Sequence, residues 1–176
     1  SNMLHLKHLI AATTLTFTAH SLSAQVPTPE SVFGWAPCAD YQVADNEQML
    51  QYFRQLADAT DRVQMIEIGH SAMGRPMPLL FISSEENMRE LERGRSISEQ
   101  LARARISEDE ARSLAASGKA IVWIEGGLDD MELACSQMTP ELAHRIATCV
   151  AEEIRNIRDK VIFLLMPLMN PDGLAN

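Results

Sequence analysis

KAIVWIEGGLDDMELACSQMTPELAHRIATCVAEEIRNIRDKVIFLLMPLMNPDG, residues 119–173, holds two apolar runs separated by a helical pattern. The first run, 119–127, is continuous and ends in Gly126-Gly127, as expected of a strand buried on both faces that stops at a loop. Thr139-Pro140-Glu141 supplies a helix N-cap followed by proline at the first helical position. The helix it opens places Leu142, Ala143, Ile146, Ala147 and Val150 on one face. The second run, 161–169, reads as another buried strand, closed by the turn chemistry of Asn170-Pro171-Asp172-Gly173. Strand, helix and strand in that order predict a right-handed parallel crossover. The fold class is therefore α/β with a mixed sheet.

Working toward the N-terminus, Lys119 follows a charged stretch, about 85–118, that reads as solvent-facing. Ser107-Glu108-Asp109-Glu110 has the form of a capping box opening one helix, and Ser84 opens another that runs through Leu91. Before them, 63–69 and 78–83 are strand-like runs joined by HSAMGRP, which predicts a hairpin. Met49, Leu50, Phe53, Leu56 and Ala57 recur at helical spacing after the N-cap Asp45, giving a helix to about Thr60. Residues 25–45, with Pro27, Pro29 and Pro37 and no sustained period, read as an extended arm on the surface of one globular unit, 46–176.

Ser1-Asn2 read as a cloning remnant. From Met3, a weakly basic start at Lys7, an apolar run from Leu9 to Phe17 and small residues ending at Ala24 have the architecture of a secretory signal peptide, so a secreted or periplasmic location is expected. The apolar run is too short for a permanent membrane anchor. The whole chain of 176 residues carries a formal charge of −9; without residues 1–24 it has 14 basic against 24 acidic groups, a net of −10. A chain this acidic is not expected to bind nucleic acid, and the scattering of its charges describes a solvated exterior. Cys38, Cys135 and Cys149 show no metal-type spacing, and three cysteines leave any disulfide pairing open.

Six segments occur in an order that resembles the zinc carboxypeptidases of the carboxypeptidase A type, especially long secreted bacterial members. They are PTPESVFGW, YFRQLADATDRV, IGHSAMGRP, ISSEENMRELE, GGLDDMELACSQM and PLMNPDG, spanning most of residues 27–173. The resemblance implies a mixed-sheet α/β/α sandwich, here incomplete at the C-terminus, one zinc ion, and peptide or protein C-termini as substrates. In that family the loop after the first apolar run carries His-x-x-Glu, which binds the zinc, and a second histidine follows much later. Such a metal takes three protein ligands and leaves a fourth position for a water made acidic enough to attack a carbonyl.

Aligned on that loop, Asp129 stands at the position of the histidine and Glu132 at that of the glutamate. By resemblance these two are the metal-ligand candidates. A second carboxylate adds negative charge and weakens the metal's effect on its water, and oxygen ligation favours harder ions. The alternative is that Asp129 and Asp130 form a solvated loop and Glu132 caps the next helix. By resemblance, too, the later histidine, the carboxylate-binding arginines, a tyrosine and the general-base glutamate lie beyond NPDG, where only Leu174-Ala175-Asn176 remain. No catalytic residue is assigned. His70 reads as ordinary surface at a strand end and His144 as solvent-facing. Cys135 and Ser136 lack the surroundings of a nucleophile. The methionines at 65, 73, 77, 131, 138, 166 and 169, with Trp35 and Trp123, read as packing.

The leading expectation is a zinc metallocarboxypeptidase by family whose metal loop is altered, so that this chain alone does not catalyse. The alternative is a secreted, non-catalytic peptide-binding protein that has lost zinc. A lower-ranked alternative is an unrelated α/β domain with the same motif order. An open apolar sheet edge is expected to favour self-association.

Overall fold

A computed structural model describes residues 25–129 and 131–174; the expected leader lies outside them. The arm is less extended than its prolines imply. Thr28 accepts a hydrogen bond from the Ser31 amide at 3.1 Å and opens a short helix, α1 (Pro29–Phe33), which Gly34 closes at φ 85°. Phe33 stacks on Trp35 and tilts against Tyr52, so the arm contributes to the core instead of lying over it. Helix α2 (Asn46–Ala59) starts where expected: Asp45 and Gln48 form a reciprocal capping box, and Met49, Leu50, Phe53 and Leu56 are buried. Tyr52 is buried with them, and loss of water together with the charge of Glu141 raises its phenol above the ordinary range.

The hairpin forms as β1 (Val63–His70) and β2 (Pro76–Ile82), antiparallel and broken by a bulge between Glu67 and Gly69. The charged stretch folds into α3 (Glu85–Arg89), α4 (Leu91–Arg103) and α5 (Glu108–Ser117), with Ser84 and Ser107 as N-caps. Its surface is laced by Arg95 with Glu92 and Glu99, and by Arg112 with Glu108, and Asn87 and Ile97 alone in these helices are buried.

Next come β3 (Ala120–Glu125), α6 (Leu133–Gln137), α7 (Thr139–Thr148), α8 (Glu152–Lys160), β4 (Val161–Met166) and the single turn α9 (Pro171–Leu174). Among the described residues the sheet is four-stranded in the order β1-β2-β4-β3, with β3 parallel to β4 as the crossover requires and β2 antiparallel to β4. Val63, Met65, Leu80, Ile82, Phe163, Leu165 and Ile124 form the face packed on α2 and α7. Helix α4 lies on the other side, where a side chain added at Gly94 would sit 3.4 Å from Ile162.

Four expectations are corrected. Among the described residues β3 lies at the edge of the sheet, so they do not cover the first apolar run on both faces, and Ile121, Val122 and Trp123 are 38–47% exposed. An unbroken apolar run does not distinguish an edge strand from a central one. The second strand stops at Met166, because Pro167 begins a turn. Thr139 is the first residue of α7, with Met138 at the cap and the helix ending at Thr148, so Val150 lies outside it and is exposed. His144 is half-buried. No helix among the described residues is long and apolar enough to cross a membrane.

Candidate metal centre

The two glycines that end β3 set the course of the loop beyond it. The Gly126 amide donates to Met166 O at 2.9 Å and its carbonyl accepts from the Met169 amide at 2.8 Å, while Gly127 O accepts from the Asn170 amide at 2.8 Å. The parallel strands thus stay zipped past their ends, and the loop carrying Asp129 and Glu132 is brought beside NPDG. A side chain at 126 would meet Thr139 Cγ2 at 2.5 Å and Cys135 O at 2.8 Å, and Gly127 sits at φ 64° with Ser136 Cβ 3.1 Å from where its own Cβ would be. Only glycine fits this close crossing.

Within the loop, Asp129 Oδ1 accepts from the Met131 amide at 3.1 Å, and Asp129 O accepts from the Glu132 amide at 3.2 Å. Glu132 occupies the N-cap position of α6 but makes no side-chain cap hydrogen bond, so capping does not account for it. Gln137 at the end of α6 donates to Ala44 O and accepts from the Ala44 amide, at 3.0 and 2.8 Å, tying the loop's helix to the arm.

NPDG does more than turn the chain. Asp172 accepts from Ser71 Oγ at 2.7 Å, from the Met73 amide at 3.1 Å and from Arg75 Nη1 at 3.0 Å, so the hairpin turn is latched to the end of the crossover. The turn is tight enough to hold Gly74 at φ 80°. The Ser71 hydrogen bond, with those from Met73 and Arg75, holds the Asp172 carboxyl below the usual carboxylate range. A lowered folded-state value means that this contribution is present above the ordinary aspartate range, about pH 4, and is lost as the pH falls through the lowered value. Asp172→Ala is expected to speed hydrogen exchange at the Met73 amide about tenfold at neutral pH, with little change in acid where the latch is already open. Exchange read by NMR at both pH values checks this.

The other candidates are scattered. His70 ends β1 in an exposed pair with Glu67 at 3.4 Å. Ser136 is buried and donates to Leu133 O, which removes it as a nucleophile. Cys38, Cys135 and Cys149 are all free. Among the described residues no three or more His, Cys, Asp or Glu side chains are grouped so as to hold a metal ion.

A family model described as zinc carboxypeptidase matches residues 49–176. The chain belongs to the zinc carboxypeptidase family. Among solved structures it is similar to carboxypeptidase A of Helicoverpa armigera, at 18% identity and a TM-score of 0.55, covering 84% of this chain and 31% of that one. It is similar to a metallo-carboxypeptidase of Burkholderia cenocepacia, at 21% identity and a TM-score of 0.52, covering 75% of this chain and 28% of that one. Bovine thrombin-activatable fibrinolysis inhibitor, solved in complex with tick carboxypeptidase inhibitor, matches at 16% identity and a TM-score of 0.52, over 76% of this chain and 33% of that one. The chain therefore spans about a third of the length of these carboxypeptidase folds. No curated protein matches it.

Zinc carboxypeptidases depend on zinc, and a catalytic zinc takes three protein ligands. Asp129 and Glu132 offer carboxylate oxygens only, and the described residues bring no third ligand beside them. Among the described residues these two carboxylates fall short of the three ligands of a catalytic zinc. The Ser71–Asp172–Arg75 latch was missed in the sequence, because GRP and NPDG each read as local turn chemistry. Their shared signal was a hydroxyl and a guanidinium in one turn, matched by a carboxylate in another.

Proposed function

We propose that this chain belongs to a secreted carboxypeptidase-type hydrolase directed at the C-termini of peptides, with a metal loop altered so that these residues alone do not hydrolyse their substrate. The observation that carries the reading is Asp129, placed with Glu132 on the loop held beside NPDG by Gly126 and Gly127. Two carboxylates bind zinc weakly and dampen its acidifying effect on water. The test is zinc titration of the chain by calorimetry, alongside Asp129→His. The wild-type chain is expected to lose zinc on dialysis. The histidine variant is expected to bind it tighter by at least the roughly tenfold that an outer partner of a metal ligand is worth. Stoichiometric zinc retained by the wild-type chain would overturn the altered-loop reading.

The second reading, a non-catalytic peptide-binding protein, is supported by an open groove of about 780 Å³ beside the latch, lined by Leu50, Arg54, Arg75 and Pro76 among others. Guanidinium groups suit a peptide's terminal carboxylate. Binding of a free-acid peptide in preference to its C-terminal amide, without cleavage, would favour this reading over the first.

A further inference from the structure

The methionines of this chain differ in what their sulfurs touch. Met49 is fully buried, whereas Met73, Met131 and Met138 are exposed, Met73 by 66%. Among the described residues, Met73 is the one methionine whose sulfur meets a hydrogen-bond donor: Arg75 Nη1 donates to its Sδ at 3.6 Å. The same nitrogen donates to Asp172 Oδ1 at 3.0 Å, and the Met73 amide donates to Asp172 Oδ2 at 3.1 Å. Met73 therefore stands at both ends of one ring, which runs from its amide through the Asp172 carboxylate and the Arg75 guanidinium back to its own sulfur. Every member of the ring belongs to the hairpin turn or to Asp172, so contacts already made close it.

The sulfur is the weakest joint in this ring. A thioether is a poor acceptor, while the guanidinium nitrogen has two hydrogens, one for the carboxylate and one left for the sulfur. Oxidation makes the side chain polar and chiral. A sulfoxide oxygen on the guanidinium side of Sδ would stand nearer Nη1 than the sulfur does, and one epimer aims it there. The new group carries no net charge, so it takes nothing from the pair between Asp172 and Arg75.

We infer that Met73 is an oxidation site whose sulfoxide tightens the hold of the hairpin turn on Asp172, a reversible switch acting through Arg75. The oxidant is a peroxide. The sulfur lone pair attacks one oxygen of hydrogen peroxide, the S–O bond forms as the O–O bond breaks, and the other oxygen leaves as water once a proton passes to it. The thioether gives up two electrons and the peroxide takes them. Methionine sulfoxide reductases reverse the step, one enzyme for each epimer. Met131 and Met138 are open to the same oxidation, but among the described residues no donor meets their sulfurs.

The test is treatment of the 176-residue chain with hydrogen peroxide, followed by peptide mass mapping and by NMR of hydrogen exchange at the Met73 amide. Met73 is expected to gain one oxygen while Met49 stays reduced, and the Met73 amide to exchange about threefold more slowly at neutral pH. The two reductases are expected to restore the original rate. Arg75→Leu keeps the methionine and removes the guanidinium, so oxidation there is expected not to slow exchange; Met73→Leu is expected to make the turn indifferent to peroxide. A Met73 oxidised no faster than Met49, an exchange rate unchanged or raised by oxidation, a slowing that the reductases do not reverse, an equal slowing in Arg75→Leu, or a response that survives Met73→Leu would overturn the proposal. None of these outcomes depends on zinc or peptide binding.

Discussion

Gly126→Ala is expected to destabilise the fold by about 3 kcal/mol, seen as a melting temperature lower by roughly 10 °C. The added methyl group would meet Thr139 Cγ2 at 2.5 Å and the carbonyl oxygens of Cys135 and Pro167 at 2.8 and 3.0 Å. None of the three can step aside cheaply. Thr139 is fully buried with its hydroxyl donating to Ser136 O, and the two carbonyls are backbone, one within α6 and the other just after β4. Relief must come from opening the zipper between the ends of β3 and β4, the contact that puts Asp129 beside NPDG. Gly94→Ala tests the same substitution without the clash. It lies inside α4 with its nearest neighbour, Ile162 Cδ1, at an ordinary 3.4 Å, so alanine's higher helix propensity is expected to stabilise by about 0.5–1 kcal/mol. A loss at 126 no larger than a surface substitution would show that the crossing is looser than drawn.

Arg158→Leu is expected to cost about 3 kcal/mol, read as a lower urea midpoint at unchanged slope. The side chain is 4% exposed, and its Nη1 donates to the carbonyls of Ile146, Ala147 and Cys149 at 2.8, 3.2 and 3.2 Å. These are the last carbonyls of α7, which have no partner within the helix. Arg62 also reaches Ala147 O, so leucine would strand Ile146 O and Cys149 O in particular. Burial, and next the charge of Arg62, press the Arg158 guanidinium below its ordinary value, the mark of a cation placed for its donors and not for a counter-ion. Arg158→Lys should recover only part of the loss, because its ammonium, although it carries three donors, ends one bond short of where Nη1 meets these carbonyls. Arg93→Ala, which breaks an exposed pair with Glu90, is expected to leave the midpoint unchanged.

These two positions also show what the sequence made legible. The crossover could be read because its signals are local: two apolar runs, a Thr-Pro helix start and a closing turn. Helix α2 was legible through Asp45 and the spacing of Met49, Phe53 and Leu56. α8 was not, because EEIRNIRDK lacks a broad apolar face and the residue it buries is Arg158, whose partners lie in another helix. α1 hid among prolines, although Thr28-Pro29 is itself a helix start. The exposure of β3 depends on strand order, to which a run of apolar residues is silent. At the candidate centre, Asp129 and Glu132 came from a resemblance in motif order, and the structure supplied the glycine zipper that holds their loop. The latch through Asp172 joins residues about a hundred positions apart, beyond the reach of any local pattern.

The place of β4 in the middle of the sheet bears on how the chain is made. β2 meets β4 at Ile82–Phe163 and Leu80–Leu165, so the sheet's centre closes only after more than eighty further residues have been synthesised. Until then the β1–β2 hairpin must wait with Leu80 and Ile82 uncovered. Such non-local pairing slows folding, and a chain that folds late stays threadable longer.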